Sequence, residues 1–101
     1  MKLYLVHCGF YDTELCDGLY EGHVNFFVAA ESFEEARARA KEIPEFKAKR
    51  MHIDGLQEIL AANGFKINLT EDTQLEGQTI IRNHKHRDLA PKPMQPTESR
   101  T

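Results

Sequence analysis

The chain has 101 residues, of which 41% are hydrophobic and 29% charged, and its formal net charge is -3. This length accommodates one modest hydrophobic core, and the hydrophobic fraction excludes a wholly disordered chain. No apolar run approaches the roughly 20 residues that cross a bilayer, and no secretory signal pattern opens the chain, so we expect a cytoplasmic protein without a membrane partner.

The charge is unevenly distributed along the chain. Residues 82–101 contain five basic and two acidic side chains, which gives them a net charge of +3 and leaves -6 on residues 1–81. An acidic surface repels a phosphate backbone. We therefore predict that the folded domain, residues 1–83, does not bind nucleic acid. Residues 84–101 are predicted to form an extended, basic tail that contains prolines.

Two strands are predicted at the start of the chain, over residues 2–10 and 23–30. Apolar side chains fall on both faces of each strand, which is typical of strands at the centre of a covered sheet. In the first strand, one face carries Leu3, Leu5 and His7, and the other carries Tyr4, Val6, Cys8 and Phe10. In the second, Val24, Phe26, Val28 and Ala30 oppose His23, Asn25, Phe27 and Ala29. The loop over residues 11–22 holds Leu15 and Leu19, which need cover from the domain or from a partner.

A helix is predicted over residues 33–43. Ser32 is a typical N-cap, and Glu35 three residues later completes a capping-box pattern. The predicted buried stripe consists of Phe33, Ala36, Ala40 and Ile43. Pro44 ends the helix because proline cannot continue it, and residues 47–50 are predicted to be a solvated connection.

Residues 51–60 fit two structures equally well. Ile53, Leu56 and Leu60 have helical spacing, with Asp54 as a possible N-cap. The same residues fit a strand that has a bulge at Gly55 and pairs with residues 65–69, where Phe65, Ile67 and Leu69 alternate. Asn63-Gly64 between the two segments is a turn signal. Residues 79–81 are predicted as a short last strand.

A resemblance favours the strand. His52-Ile53-Asp54-Gly55, with Gly64-Phe65 further along, resembles the HxDA…DGY signature of a bacterial family called domain of unknown function 1543. The resemblance covers roughly residues 3–70, and it departs from the family pattern at Phe10, where a second glycine usually follows Gly9. It implies a compact α+β unit in which residues 51–60 form a strand. It implies no activity.

The predicted fold class is therefore α+β. We expect a small antiparallel sheet, built in the order β-β-α-β-β, with one main helix packed on one of its faces.

The candidate functional residues are histidines and carboxylates near strand ends. No common phosphate-binding, zinc-protease or nucleophile motif is present, so no catalytic residue and no cofactor are predicted. In a strand, His52 and Asp54 project from the same face, and His23 heads a neighbouring strand. These three residues are the predicted metal ligands, because they would fill three positions of a zinc-type site. The alternative is a structural pair in which Asp54 accepts hydrogen bonds from nearby backbone N–H groups.

Three classes of function stay open from the sequence. A self-associating structural or interaction module, forming a two-fold homodimer, is favoured because one helix leaves one sheet face without cover. The alternative is a protein that handles a metal or a small molecule through the His/Asp cluster, with the ligand unidentified. A regulatory binding protein with a basic tail is the third class.

Overall fold

The computed structural model describes residues 1–90, and its main sheet consists of three antiparallel strands. The strands are β1 (Lys2–Tyr11), β2 (Glu21–Ala30) and β3 (His52–Glu58), in the spatial order β2-β1-β3. Between β2 and β3 the chain forms the helices α1 (Phe33–Lys41) and α2 (Pro44–Ala48). A separate hairpin follows, formed by β4 (Ala61–Ala62) and β5 (Phe65–Lys66), and a short helix α3 (His86–Leu89) comes last. This confirms the predicted α+β fold with one main helix.

The core lies between the main sheet and α1. Tyr4, Val6 and Cys8 of β1 point into it and are no more than 2% exposed. Val28 and Ala30 of β2 join them from the same face of the sheet. The predicted division of both strands into two faces is thus confirmed. The prediction that both strands are central is wrong for β2, which lies at an edge of the sheet within the described residues.

Helix α1 begins where the sequence predicts. The Ser32 hydroxyl accepts a hydrogen bond from the Glu35 backbone N–H at 3.2 Å, and this satisfies one of the free donors at the helix start. Ala36 and Ala40 are fully buried, because their small side chains let the helix backbone lie close to the sheet. The structure corrects one member of the predicted stripe: Phe33 is 55% exposed, since it lies outside the contact centred on the two alanines.

The structure also corrects the prediction that residues 47–50, after α1, are only a solvated connection. Pro44 starts a second helix, because its fixed φ angle and missing N–H suit the first helical position. Phe46 of this helix is buried, as is Met51 just after it. Lys47 and Lys49 remain on the surface, where they form ion pairs with glutamates of the same region.

Strand β3 settles the ambiguity of residues 51–60 in favour of the strand. Its pairing with β1 shifts by one residue, since Ile53 lies opposite Cys8 whereas Gly55 lies opposite His7. Asp54 is therefore the extra residue of a β-bulge and has no partner in β1. Both Ile53 and Leu56 pack against the core as a result.

The predicted strand over residues 65–69 is mostly absent. The Asn63-Gly64 turn is present, with φ angles of 52° and 85°, but β5 ends at Lys66 and pairs with β4 instead of residues 51–60. Phe65 is 76% exposed. The alternating pattern predicts an apolar face, and the described chain covers it only in part, since Ile67 is half-buried and Leu69 is 38% exposed. The predicted strand over residues 79–81 does not form either.

Residues 59–81, here called the arm, contain no buried residue. The radius of gyration is 18.1 Å, whereas a compact domain of about 100 residues has one near 13 Å. The chain is thus less compact than a fully packed domain, although residues 78–81 of the arm lie beside Leu3, Phe27 and Ala29 of the sheet. No helix in residues 1–90 has the length and apolar character needed to cross a membrane. Of the predicted tail, residues 91–101 lie outside the described residues, and the single turn of α3 interrupts the part before them.

Candidate functional site

The sheet face opposite α1, here called the open face, brings two histidines together beside a glycine. Gly9 of β1 lies directly opposite His23 of β2 on one side and His52 of β3 on the other. The two histidines therefore flank a position of the central strand that has no side chain. This arrangement is a consequence of strand register, which the backbone hydrogen bonds hold in place.

Gly9 provides the space in which the cluster forms. A Cβ atom at this position would lie 2.6 Å from His52 Nε2 and 2.8 Å from Asp54 Oδ2, and it would also collide with the Glu21 carboxylate. These separations are too short for van der Waals contact. The side chains of Glu21, His52 and Asp54 therefore occupy the space that the side chain of any other residue at position 9 would need.

Four side chains form a closed ring above Gly9, in which imidazole and carboxylate groups alternate. His52 Nε2 lies 2.8 Å from Glu21 Oε1 and 3.2 Å from Asp54 Oδ1. His23 Nε2 lies 3.3 Å from the same Glu21 oxygen and 3.5 Å from Asp54 Oδ2. We call these four residues the His–carboxylate ring. It joins all three strands of the main sheet.

The four side chains of the ring are partly exposed to solvent, and the charges of the carboxylates and histidines interact. The four side chains are between 33% and 45% exposed. The hydrogen bond with His52 holds the pKa of Glu21 below its usual range, and the positive charges of protonated His23 and His52 act in the same direction. Desolvation of the carboxylate, the second-largest influence on this pKa, opposes the effect without cancelling it. The site therefore favours the ionised carboxylate, which is the form that accepts hydrogen bonds or binds a cation.

Two further side chains border the ring. The ring of His7 stacks on His23 with 5.0 Å between centroids, and its Nδ1 lies 2.7 Å from the side-chain oxygen of Asn25. Tyr11 lies beside His52, with 6.0 Å between the ring centroids. His7, His23 and Asp54 also place one potential ligand atom each within 4.8 Å of one another. These contacts restrict the positions of the two ring histidines.

The structure brings together all three of the predicted metal ligands, His23, His52 and Asp54. Sequence reasoning missed Glu21, because it placed residue 21 in the loop before β2. The signal was available: Glu21 and His23 are two residues apart, as His52 and Asp54 are, and alternate positions in a strand share a face. The exposed His84 and His86 lie outside this cluster, as does Cys8, whose side chain faces the core.

The opposite end of the open face is apolar. Leu3, Phe27 and Ala29 line a shallow groove there, together with residues 78–81 of the arm. The arm covers this surface only in part, since Phe27 remains 42% exposed and Ile80 70%. Phe27 is four residues from His23, which corresponds to about 13 Å along a strand. The open face thus has a polar end and an apolar end.

Comparison with known proteins identifies a family without an assigned activity. No curated protein and no solved structure matches the chain. The sequence model of a family described as Domain of Unknown Function (DUF1543) matches residues 18–69. The matched segment includes all four members of the His–carboxylate ring. Because this segment is just over half of the chain and agrees with the resemblance in the sequence, the chain belongs to the DUF1543 family.

Proposed function

We propose that the domain is a self-associating interaction module of the bacterial cytoplasm, and that it works as a two-fold homodimer in which each arm packs against the other copy. The main support for this proposal is that most of the large apolar side chains of the arm are exposed to solvent. Six of its eight large apolar side chains are between 38% and 76% exposed, namely Leu60, Phe65, Leu69, Leu75, Ile80 and Ile81, while Ile59 and Ile67 are half-buried.

An ordered arm needs a surface to pack on. Fixing the backbone of one residue costs roughly 1–2 kcal/mol of conformational entropy. Burial of apolar area offsets this cost in folded proteins, at about 25 cal/mol per Å². The arm buries little of its own apolar surface, whereas a second copy would supply an apolar surface for it.

The apolar end of the open face is the surface that we assign to the partner's arm. Leu3 and Phe27 lie there without full cover. In a two-fold dimer the same contact forms twice, so each apolar side chain contributes to burial in both copies. Leu15 and Leu19, the loop residues that were also expected to need cover, lie beyond the other end of β2. About 20 Å of strand separates Glu21 from Phe27, so the loop leucines belong to a different surface.

The charge of the folded part supports a second copy over nucleic acid as the partner. Residues 1–81 carry a net charge of -6, which opposes binding to a phosphate backbone. Cys8 and Cys16 are both free thiols, which fits a reducing compartment such as the cytoplasm.

Light scattering coupled to size exclusion tests the proposal at micromolar concentrations. The wild-type protein should show twice the chain mass of 11.6 kDa. Replacing Ile80 and Ile81 by aspartate should shift the mass towards that of one chain, because charged side chains resist burial in an apolar interface.

Leu19→Asp is the matched control. Leu19 is 82% exposed and lies in the loop between β1 and β2, so the same change of side chain should leave the dimer intact. A wild-type protein with the mass of one chain would reject self-association. Equal loss of the dimer in the control and in the arm variant would reject the assignment of the interface.

A further inference from the structure

We infer that the His–carboxylate ring binds one divalent metal ion of the zinc class, coordinated by Glu21, His23, His52 and Asp54. This inference concerns the polar end of the open face and does not depend on self-association. It extends the three ligands visible in the sequence by a fourth, Glu21, and it assigns the centre of the site to the space above Gly9.

The donor set matches this class of ion. Zinc binds imidazole nitrogen and carboxylate oxygen as well as cysteine sulfur, and it takes four ligands in tetrahedral sites. With both histidines neutral, the two carboxylates give the ring a formal charge of -2. A divalent cation neutralises this charge, whereas two carboxylates alone repel each other at such short range.

The spacing of the donor atoms fits one ion. Zn–N and Zn–O distances of about 2.0–2.1 Å place adjacent ligand atoms of a tetrahedron roughly 3.3–3.4 Å apart. The contacts around the ring measure 2.8, 3.2, 3.3 and 3.5 Å, with His52 next to Oδ1 of Asp54 and His23 next to Oδ2. Glu21, His52 and Asp54 each place one donor atom within 4.8 Å of one another, and His23 would join them through rotation of its side chain. Binding would thus require small changes of side-chain torsion and no movement of the strands.

The backbone prepares the site before any ion arrives. The ligands come from the two edge strands, and β1 between them holds both in register. The bulge at Asp54 adds a carboxylate to the open face without displacing a paired residue. An ion bound here would link β2 to β3 across the central strand, so binding should stabilise the fold.

A ring of hydrogen bonds and ion pairs without metal is the competing interpretation. In this interpretation, positive charges on His23 and His52 would balance the negative charges of the two carboxylates. Selective binding of a transition metal is then not expected. The two interpretations make opposite predictions about zinc. They are separated by measuring binding and stability in the same set of proteins.

The experiment uses the full chain without a histidine tag, freed of metal by a chelator and dialysed. Calorimetric titration with Zn²⁺ should show one ion per chain, and Co²⁺ should give the intense visible absorption of tetrahedral coordination. Glu21→Gln, His23→Gln, His52→Gln and Asp54→Asn should each weaken zinc binding by more than about tenfold, since even losing an outer partner of a metal ligand commonly costs that much. Zinc should raise the melting temperature of the wild type more than that of any of the four variants.

Gly9→Ala tests the geometry while keeping all four ligands. The added methyl group would occupy the space between Glu21, His52 and Asp54, so zinc binding should fall in this variant as well. The protein should still fold, because the atoms that meet the methyl group are ends of flexible side chains. Circular dichroism of the variant without metal provides this check.

Replacing His84 and His86 together by alanine is the matched control. It removes two exposed histidines that lie outside the ring, so zinc affinity and stoichiometry should stay those of the wild type. The inference is overturned if the wild type binds no zinc, or if the four ligand variants bind it as the wild type does. It is also overturned if binding is lost in the control and retained in the ligand variants.

Discussion

The two cysteines occupy opposite environments at the scale of single residues. Cys8 is fully buried beneath the sheet, and its Sγ lies 3.9 Å from the carbonyl oxygen of Val6. Burial raises the pKa of the Cys8 thiol, and the negative charge of Asp54 raises it further. Cys16 is exposed in the loop between β1 and β2. Because the thiolate is the reactive form, the two thiols should differ strongly in reactivity.

We predict that iodoacetamide modifies one cysteine in the native protein and both cysteines in urea. The site in the native protein should be Cys16, as determined by fragmentation of the modified peptide in a tandem mass spectrometer, since both cysteines lie in the tryptic peptide of residues 3–37. The Cys16→Ser variant should therefore resist modification until it is unfolded. Rapid modification of Cys8 under native conditions would mean that β1 is not the buried central strand.

The residues of the ring show how far sequence alone identifies a site. His23, His52 and Asp54 are recognisable because their side chains and spacing suit a metal and a strand. Gly9 is not recognisable, since its contribution is an absent side chain whose importance depends on the register of two neighbouring strands. Glu21 was missed because the position at which a strand starts is poorly encoded in local sequence.

Among the elements, helix α1 has the strongest local signal. Ser32 and the glutamates of the first turn predict its start, and the hydrogen bond from the Glu35 N–H to Ser32 confirms it. Such a cap acts on the helix alone, so its contribution can be measured separately from the packing of the core.

We predict that Ser32→Ala lowers the free energy of unfolding by about 1 kcal/mol, because a backbone N–H at the helix start loses its acceptor. Ser32→Asp is the control: it keeps an acceptor at the cap and should be close to the wild type. Urea denaturation followed by circular dichroism measures both. An equal loss in the two variants would contradict a capping role.

There is a physical reason why the sequence of β3 fits both a helix and a strand. In a regular strand, core residues are two positions apart, whereas Ile53 and Leu56 are three apart because the bulge adds one residue between them. Three positions is also close to one turn of a helix. The same spacing therefore fits both structures. Only the pairing with β1 distinguishes them, and this pairing is not local in the sequence.

The whole molecule consists of a packed part and an extended part. Within residues 1–90 the buried residues lie in the sheet, α1 and α2, except Met51, which lies just before β3 and is the last of them. The alternation of Phe65, Ile67 and Leu69 correctly signals an apolar face, but it cannot say which surface covers that face. This is why β1, β2 and α1 were predictable and the position of the arm was not.

We predict that limited trypsin digestion cleaves at Arg82 or Arg87 before it cleaves at Arg37 or Arg39. The first pair lies in exposed chain near the arm, whereas the second pair lies in α1, which must unfold locally to enter a protease. Mass spectrometry of early time points gives the order. Initial cleavage inside α1 would mean that this helix is less stable than the chain after residue 81.

Because of the bulge in β3, the sequence of the polar cluster can change without a change in the residues of the hydrophobic core. If Asp54 were deleted, His52 and Ile53 would keep their partners in β1, and Gly55 onward would follow without a break in pairing. The core side chains would still point inward, while the open face would lose one carboxylate. Deletion of a single codon could therefore remove Asp54 from the cluster in a relative, and insertion could restore it, while the rest of the sheet stays unchanged.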